Sequence, residues 1–188
     1  MRHKYRTEAF VLSRYPVREH DANIVLATTD FGIVRARATG VRKLGSKMAI
    51  GLQTFTQSEV TLIRGKEGWR LTGALPIKSW ANELTFTSRP RAARVCELMQ
   101  RLSHGEDAEP RLYETVLAFA EALPTLEGDS QDAAECLAAL RVLHILGHDA
   151  GEIPGGFDNY GDEPLARITS DRKVYIARVN NGIVASGL

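Results

Sequence analysis

Arg35 and Arg37 alternate with apolar residues in the run Ile33-Val34-Arg35-Ala36-Arg37-Ala38. In an extended strand this spacing sends both guanidinium groups to one face and Val34, Ala36 and Ala38 to the other. Arg42, Lys43 and Lys47 follow closely, among glycines at 40, 45 and 51 that let the backbone turn sharply. A basic strand beside a glycine-containing basic loop can neutralise phosphates. For a lone pair of arginines a solvated surface is the ordinary explanation. Here residues 1–80 hold 14 Lys/Arg against 6 Asp/Glu, a net of +8, which favours a nucleic-acid partner. Residues 81–188 hold 10 against 17, a net of −7, so a total of +1 hides two opposite halves.

Other reactive residue types carry less. His144 and His148 are four apart, but Gly147 ends a helix between them, and the glutamate of the metalloprotease pattern is absent. Cys96 and Cys136 are the only two cysteines. They exclude a disulfide framework and a four-cysteine zinc site, fit a reducing cytoplasm, and sit among helical apolar positions as small core residues. Glu106-Asp107-Ala108-Glu109 reads as a solvated loop leading into a helix N-terminus. Gly65-Lys66 lacks the spacing of a nucleotide phosphate loop, and neither a nucleophile elbow nor a carboxylate pair is present. The expectation is no enzyme, no cofactor and no metal. Single strands stack on exposed rings, and Tyr5, Tyr15, Phe31, Phe55 and Trp69 are the candidates. Phe10 and Phe55 read as core residues, and Phe31, at a hairpin tip, as the better stacker.

The elements that must position these residues change character near residue 80. Short β-rich runs at 9–15, 23–29, 33–38, 54–64 and 69–73 predict five strands, with 23–38 a hairpin turning at Asp30-Phe31-Gly32. Five short strands in about 75 residues suggest a small closed barrel. Beyond it, apolar residues at helical spacing predict helices over 89–103 (Ser88 as cap, Gly105 as stop), 109–123 and 130–146, and a last one over 170–186 capped by Ser170. In that last helix the apolar positions are Val174, Ala177, Val179, Ile183 and Val184, with Gly182 out of place among them. Residues 149–169, with four glycines, two prolines and five acidic residues, read as an irregular loop. The fold class is α+β, with a basic domain at 1–80 and an acidic helical domain at 81–188. A chain of 188 residues is long enough to fold without a metal or disulfide. The basic N-terminus, Met1 to Arg6, is followed by no apolar stretch of signal or membrane-spanning length.

Several segments, in order, carry a resemblance. Ala9-Phe10-Val11-Leu12-Ser13 is followed by Glu19-His20-Asp21-Ala22-Asn23-Ile24-Val25 and then Thr28-Thr29-Asp30-Phe31-Gly32. Gly40-Val41-Arg42-Lys43, Ser46-Lys47 and Leu52-Gln53-Thr54-Phe55 complete the set. Together they resemble the N-terminal domain of the RecO family of recombination mediators, over residues 8–75. Leu143-His144-Ile145-Leu146-Gly147-His148 and the end of the chain, Ala177 to Leu188, are similar to helical parts of the same family more loosely.

The resemblance implies an OB-fold followed by a helical domain. It implies binding of single- and double-stranded DNA and annealing of complementary strands. It also implies contacts with the acidic tail of single-stranded DNA-binding protein (SSB), with RecR and with RecA, which such proteins help to load in repair and homologous recombination. The family's cationic positions map to Arg35, Arg37, Arg42, Lys43 and Lys47. Many members carry a four-cysteine zinc module after the Leu-Gly segment. Here His148 to Ile168 contains no cysteine, and its carboxylates and single imidazole do not suit structural zinc. For the acidic tail, Arg141 beside Leu137, Leu140 and Ile145 is the first candidate, with a helix-surface salt bridge as its plain alternative. Two other functions share the basic half: an adaptor docking an acidic protein, and an RNA-binding OB domain.

Overall fold

The computed structural model describes residues 3–103 and 109–188, so the expectations for Met1, Arg2, Gly105 and Glu106 to Ala108 lie outside the described residues. The chain divides into two compact units, Met1–Asn82 with Gly105–Tyr113, and Glu83–His104 with Glu114–Leu188. The first division falls between Asn82 and Glu83, and residues up to Tyr113 join the first unit. Within that unit the Tyr113 hydroxyl donates to Glu8 at 3.0 Å and accepts from Gln57 Nε2 at 2.9 Å.

The first unit is a closed barrel of β1 (Lys4–Pro16), β2 (Ala22–Thr28), β3 (Gly32–Ala38), β4 (Thr56–Gly65) and β5 (Gly68–Ser79), in the order β1-β2-β3-β5-β4. This is the expected five-stranded OB-fold. All neighbours are antiparallel except β3 and β5, which pair in parallel over Ala36–Ala38 and Trp69–Leu71 only. Strand β1 starts earlier and β5 runs further than the sequence runs suggest. Register shifts in β1 between Val11 and Ser13, and twice along β4 and β5, bend these strands so that the sheet closes. Alternation works as expected on β3: Val34, Ala36 and Ala38 join the barrel core with Ile24, Leu26, Val60 and Leu62. Gly32 holds the hairpin with a φ of 62°, a region open to glycine.

The second unit holds α1 (Ser88–Leu102), most of α2 (Pro110–Ala122, continued by a 3-10 turn at Leu123–Thr125), α3 (Asp129–Ile145), α4 (Asp162–Ser170) and α5 (Arg172–Ala185). Four expectations need correction here. Ser88 does not cap α1. Thr85 accepts from the Ser88 backbone N–H at 3.2 Å, and the Ser88 hydroxyl accepts from the Thr85 N–H at 2.9 Å. This is a capping box begun three residues earlier, with serine in the place of Glu or Gln. The irregular loop expected over 149–169 ends at 161, because Asp162 and Glu163 favour a helix start, and Leu165 and Ile168 give α4 a buried stripe. The last helix starts at Arg172 rather than at Ser170. Its apolar positions do not form its inner face: Val174 and Val184 are exposed, while Tyr175 and Gly182 are buried. Gly182 is explained by contact, since a Cβ there would lie 2.9 Å from Leu143 Cδ1 and 3.2 Å from the His148 carbonyl oxygen. Among the described residues, no helix is long and apolar enough to cross a membrane.

Candidate nucleic-acid interface

The outer faces of β2, β3 and the β4–β5 hairpin form a groove of about 1040 Å³. Six cationic residues line it, Arg18, Arg35, Arg37, Arg64, Lys66 and Arg70, against two acids, Asp21 and Glu67. Strand register explains the convergence. Asn23 lies opposite Arg37 on β2, and Arg37 lies opposite Arg70 on β5, so these outward side chains form one row across three strands. Arg35 stands two residues back on the same face of β3, opposite Val25. The tight β4–β5 turn then brings Arg64 and Lys66 to the rim. Arg64 sits over the Trp69 ring at 4.8 Å.

Like charges directly opposite each other on paired strands destabilise a sheet. The groove answers this at Arg37. The Arg37 Nη2 donates to Asp21 Oδ2 at 2.7 Å, and Asp21 Oδ1 accepts the Gly40 N–H at 2.9 Å. Asp21 is buried, and the hydrogen bond from Arg37 and the Gly40 N–H hold its carboxyl below the usual range. Gly40 meets it with a φ of 70°, which a side chain at that position would resist.

The five expected cations therefore fall in three places. Arg35 and Arg37 lie in the groove. Arg42 lies at its edge, where its Nη1 donates to the Arg18 carbonyl at 3.0 Å and its backbone N–H to the His20 carbonyl at 3.0 Å. Lys43 and Lys47 are exposed on the turn-rich segment beyond Gly40 and do not line the groove. Burial, and secondarily the charge of Arg42, lowers the Arg14 pKa. The sequence reading missed Arg18, Arg64, Lys66 and Arg70. Arg70 was within reach, being outward by alternation next to Trp69 and Leu71. The others needed the parallel β3–β5 pairing, which no local pattern encodes.

The aromatic candidates separate as well. Tyr5, Phe31 and Trp69 form a cluster with centroids 5.4–5.5 Å apart, packed against the barrel core. Phe31 is half-buried in this cluster and not a free ring at a hairpin tip. Phe10 and Phe55 are buried as expected, while Tyr15 is exposed.

Arg141 is fully buried, so it cannot serve as the surface contact expected of it. Its guanidinium donates to the carbonyls of Gly156 and Asn159, both at 2.7 Å, and lies 4.3 Å from the Tyr160 ring centroid. It thus holds the cysteine-free segment in place from within. Arg167 and Arg178 tie the same segment through Glu152 and Asp149. A smaller groove of about 320 Å³ in this unit carries Arg94 and Arg172 on its wall, but both are paired, with Glu135 and Asp132.

Residues 1–80 match the family model described as "Recombination protein O N terminal". These residues thus carry the N-terminal domain of the RecO family. A "DNA repair protein RecO" from Dehalococcoides mccartyi strain 195 is 32% identical over 145 residues, 77% of this chain and 55% of that protein. Proteins of the same description from Heliobacterium modesticaldum and Desulforudis audaxviator are 32% and 30% identical, each over 77% of this chain and over 52% and 57% of their own lengths. The chain spans about half the length of the curated RecO relatives it matches.

Proposed function

We propose that this chain acts as a RecO-family protein in DNA repair and recombination, a mediator without catalytic chemistry. In this reading it binds single- and double-stranded DNA through its barrel and anneals complementary strands. The observation that carries the reading is the groove, where six cations meet two acids. Annealing follows physically: neutralised phosphates let two strands approach, and base pairing supplies the sequence specificity. Contacts with the SSB tail, RecR and RecA, and the loading of RecA onto SSB-coated strands, rest on the family alone. No residue is assigned to the tail, because Arg141 is unavailable.

The test is fluorescence anisotropy with a labelled single-stranded DNA oligonucleotide, titrated at several salt concentrations. With about five phosphates neutralised, the log–log slope of affinity against salt should be about −3.5. Absence of binding at low salt would overturn the DNA reading. Tighter binding to the matched ribo-oligonucleotide would favour the RNA alternative, and binding to an acidic peptide without binding to DNA would favour the adaptor.

A further inference from the structure

Asp21 is the buried carboxylate in a groove of cations. Its position follows from the fold. It stands directly before β2, one residue from the Ala22–Ala38 pair, and so reaches the outward side chain of Arg37. Arg37 in turn lies opposite Arg70, a like-charge pair that an anion between the strands would relieve. A nucleic-acid phosphate would supply the same relief through the same kind of contact, a charge-assisted N–H to oxygen bond.

Resting on the DNA-binding reading above, we propose that Asp21 is a resident anion: in the free protein it holds the place on Arg37 that a backbone phosphate takes on binding. The carboxylate thereby sets the affinity of the groove. It keeps Arg37 in position through its second bond to the Gly40 N–H, and it withholds one cation from the phosphate count until the exchange occurs. Arg37 has the exposure such an exchange needs, with 34% of its side chain accessible against 12% for Asp21. The carboxylate stays where it is while the guanidinium can turn outward.

The test compares wild type, Asp21→Asn, Arg37→Ala and the double variant by the same salt-dependent anisotropy. The probe is a mixed-sequence single-stranded DNA oligonucleotide, and each variant is first melted by circular dichroism. Asparagine keeps an oxygen for the Gly40 N–H but loses the charge. Asp21→Asn should tighten binding about fivefold, the worth of one phosphate contact at about 0.1 M salt, and leave the salt slope as in wild type, because Arg37 meets phosphate in both proteins and only the cost of breaking its bond to Asp21 is removed. The gain should vanish in the Arg37→Ala background. Should the asparagine variant not fold, Asp21→Ser carries the same prediction. Arg37→Gln, which leaves Asp21 intact, should flatten the wild-type slope by about 0.7, one phosphate on a single strand. Wild type binding with a steep slope while Asp21→Asn binds no tighter, or a gain that survives without Arg37, overturns the inference and leaves the DNA reading standing. An unchanged slope in Arg37→Gln overturns it too. Failure of wild type and Asp21→Asn alike to bind at low salt removes the DNA reading, and the inference falls with it.

Discussion

Arginine plays opposite parts in the two units of this chain. In the helical unit five of its charges are matched internally: Arg91 and Arg172 share Asp132, Arg94 meets Glu135, Arg167 meets Glu152, and Arg178 meets Asp149. Arg141 goes further and lies wholly inside, bound to backbone carbonyls. In the barrel, register and turn gather six cations into one groove whose lining holds two acids, Asp21 and Glu67. An arginine whose partners are internal works for the fold. A set of cations held side by side in excess of the acids around them keeps its attraction for an external anion. The opposite net charges of the two halves are thus accompanied by opposite uses of the same side chain.

The largest expected effect tests the helical side of this contrast. Arg141→Met keeps length and apolar bulk but removes the donors for the Gly156 and Asn159 carbonyls and the cation over Tyr160. Losing charge-assisted hydrogen bonds at a buried site should cost about 3 kcal/mol in urea unfolding. Amide exchange in 149–161 should accelerate ahead of the rest of the chain. Arg141→Lys should not rescue it, since an ammonium cannot reproduce the planar fork that reaches separate carbonyls. A loss below about 0.5 kcal/mol would place Arg141 among ordinary surface residues in energetic terms and break the contrast.

What the sequence made legible divides along the same line. The strands of the barrel, the β2–β3 hairpin and the inward set Val34, Ala36 and Ala38 all follow from alternation and a glycine turn. Arg35 and Arg37 were visible for the same reason. Arg18, Arg64 and Lys66 were not, because their meeting depends on a parallel pairing of three residues between strands far apart in sequence. Helix α4 was hidden because the glycines and prolines around it outweigh its short stripe of Leu165 and Ile168. Arg141 misled for a physical reason. A cation on an apolar helix face reads as a surface residue unless something covers it, and what covers it is a segment with no pattern of its own. Gly182 looked like a flaw in α5 for a similar reason, since its cause is Leu143 on another helix.

The barrel side of the contrast makes the next largest prediction. Arg35→Ala with Arg70→Ala removes two exposed cations on neighbouring strands without touching the core. The salt slope on single-stranded DNA should become shallower by about 1.4, about a 25-fold loss of affinity at about 0.1 M salt, alike for all sequences. The melting temperature should hold or rise slightly, since like-charge crowding is relieved. A large fall in stability with unchanged binding would reverse the assignment and make these arginines part of the fold.

The smallest effect sharpens the contrast most, because it asks what matched surface charges contribute. The Arg94 guanidinium meets both oxygens of Glu135, with Nη2 to Oε2 at 2.7 Å, and this pairing raises the Arg94 pKa. Yet 56% of the Arg94 side chain is accessible, so water and salt screen the pair. A double-mutant cycle of Arg94→Ala and Glu135→Ala should return a coupling of about 0.2–1 kcal/mol, falling as salt rises, with no change in DNA affinity. Two results then differ in kind although both come from exposed arginines. Removing Arg94 should leave the DNA salt slope alone, whereas removing Arg35 and Arg70 should change it. A DNA slope that shifts when Arg94 is removed would mean that the matched arginines of the helical unit also reach phosphate, and internal pairing would no longer separate the arginines that hold the fold from those that bind.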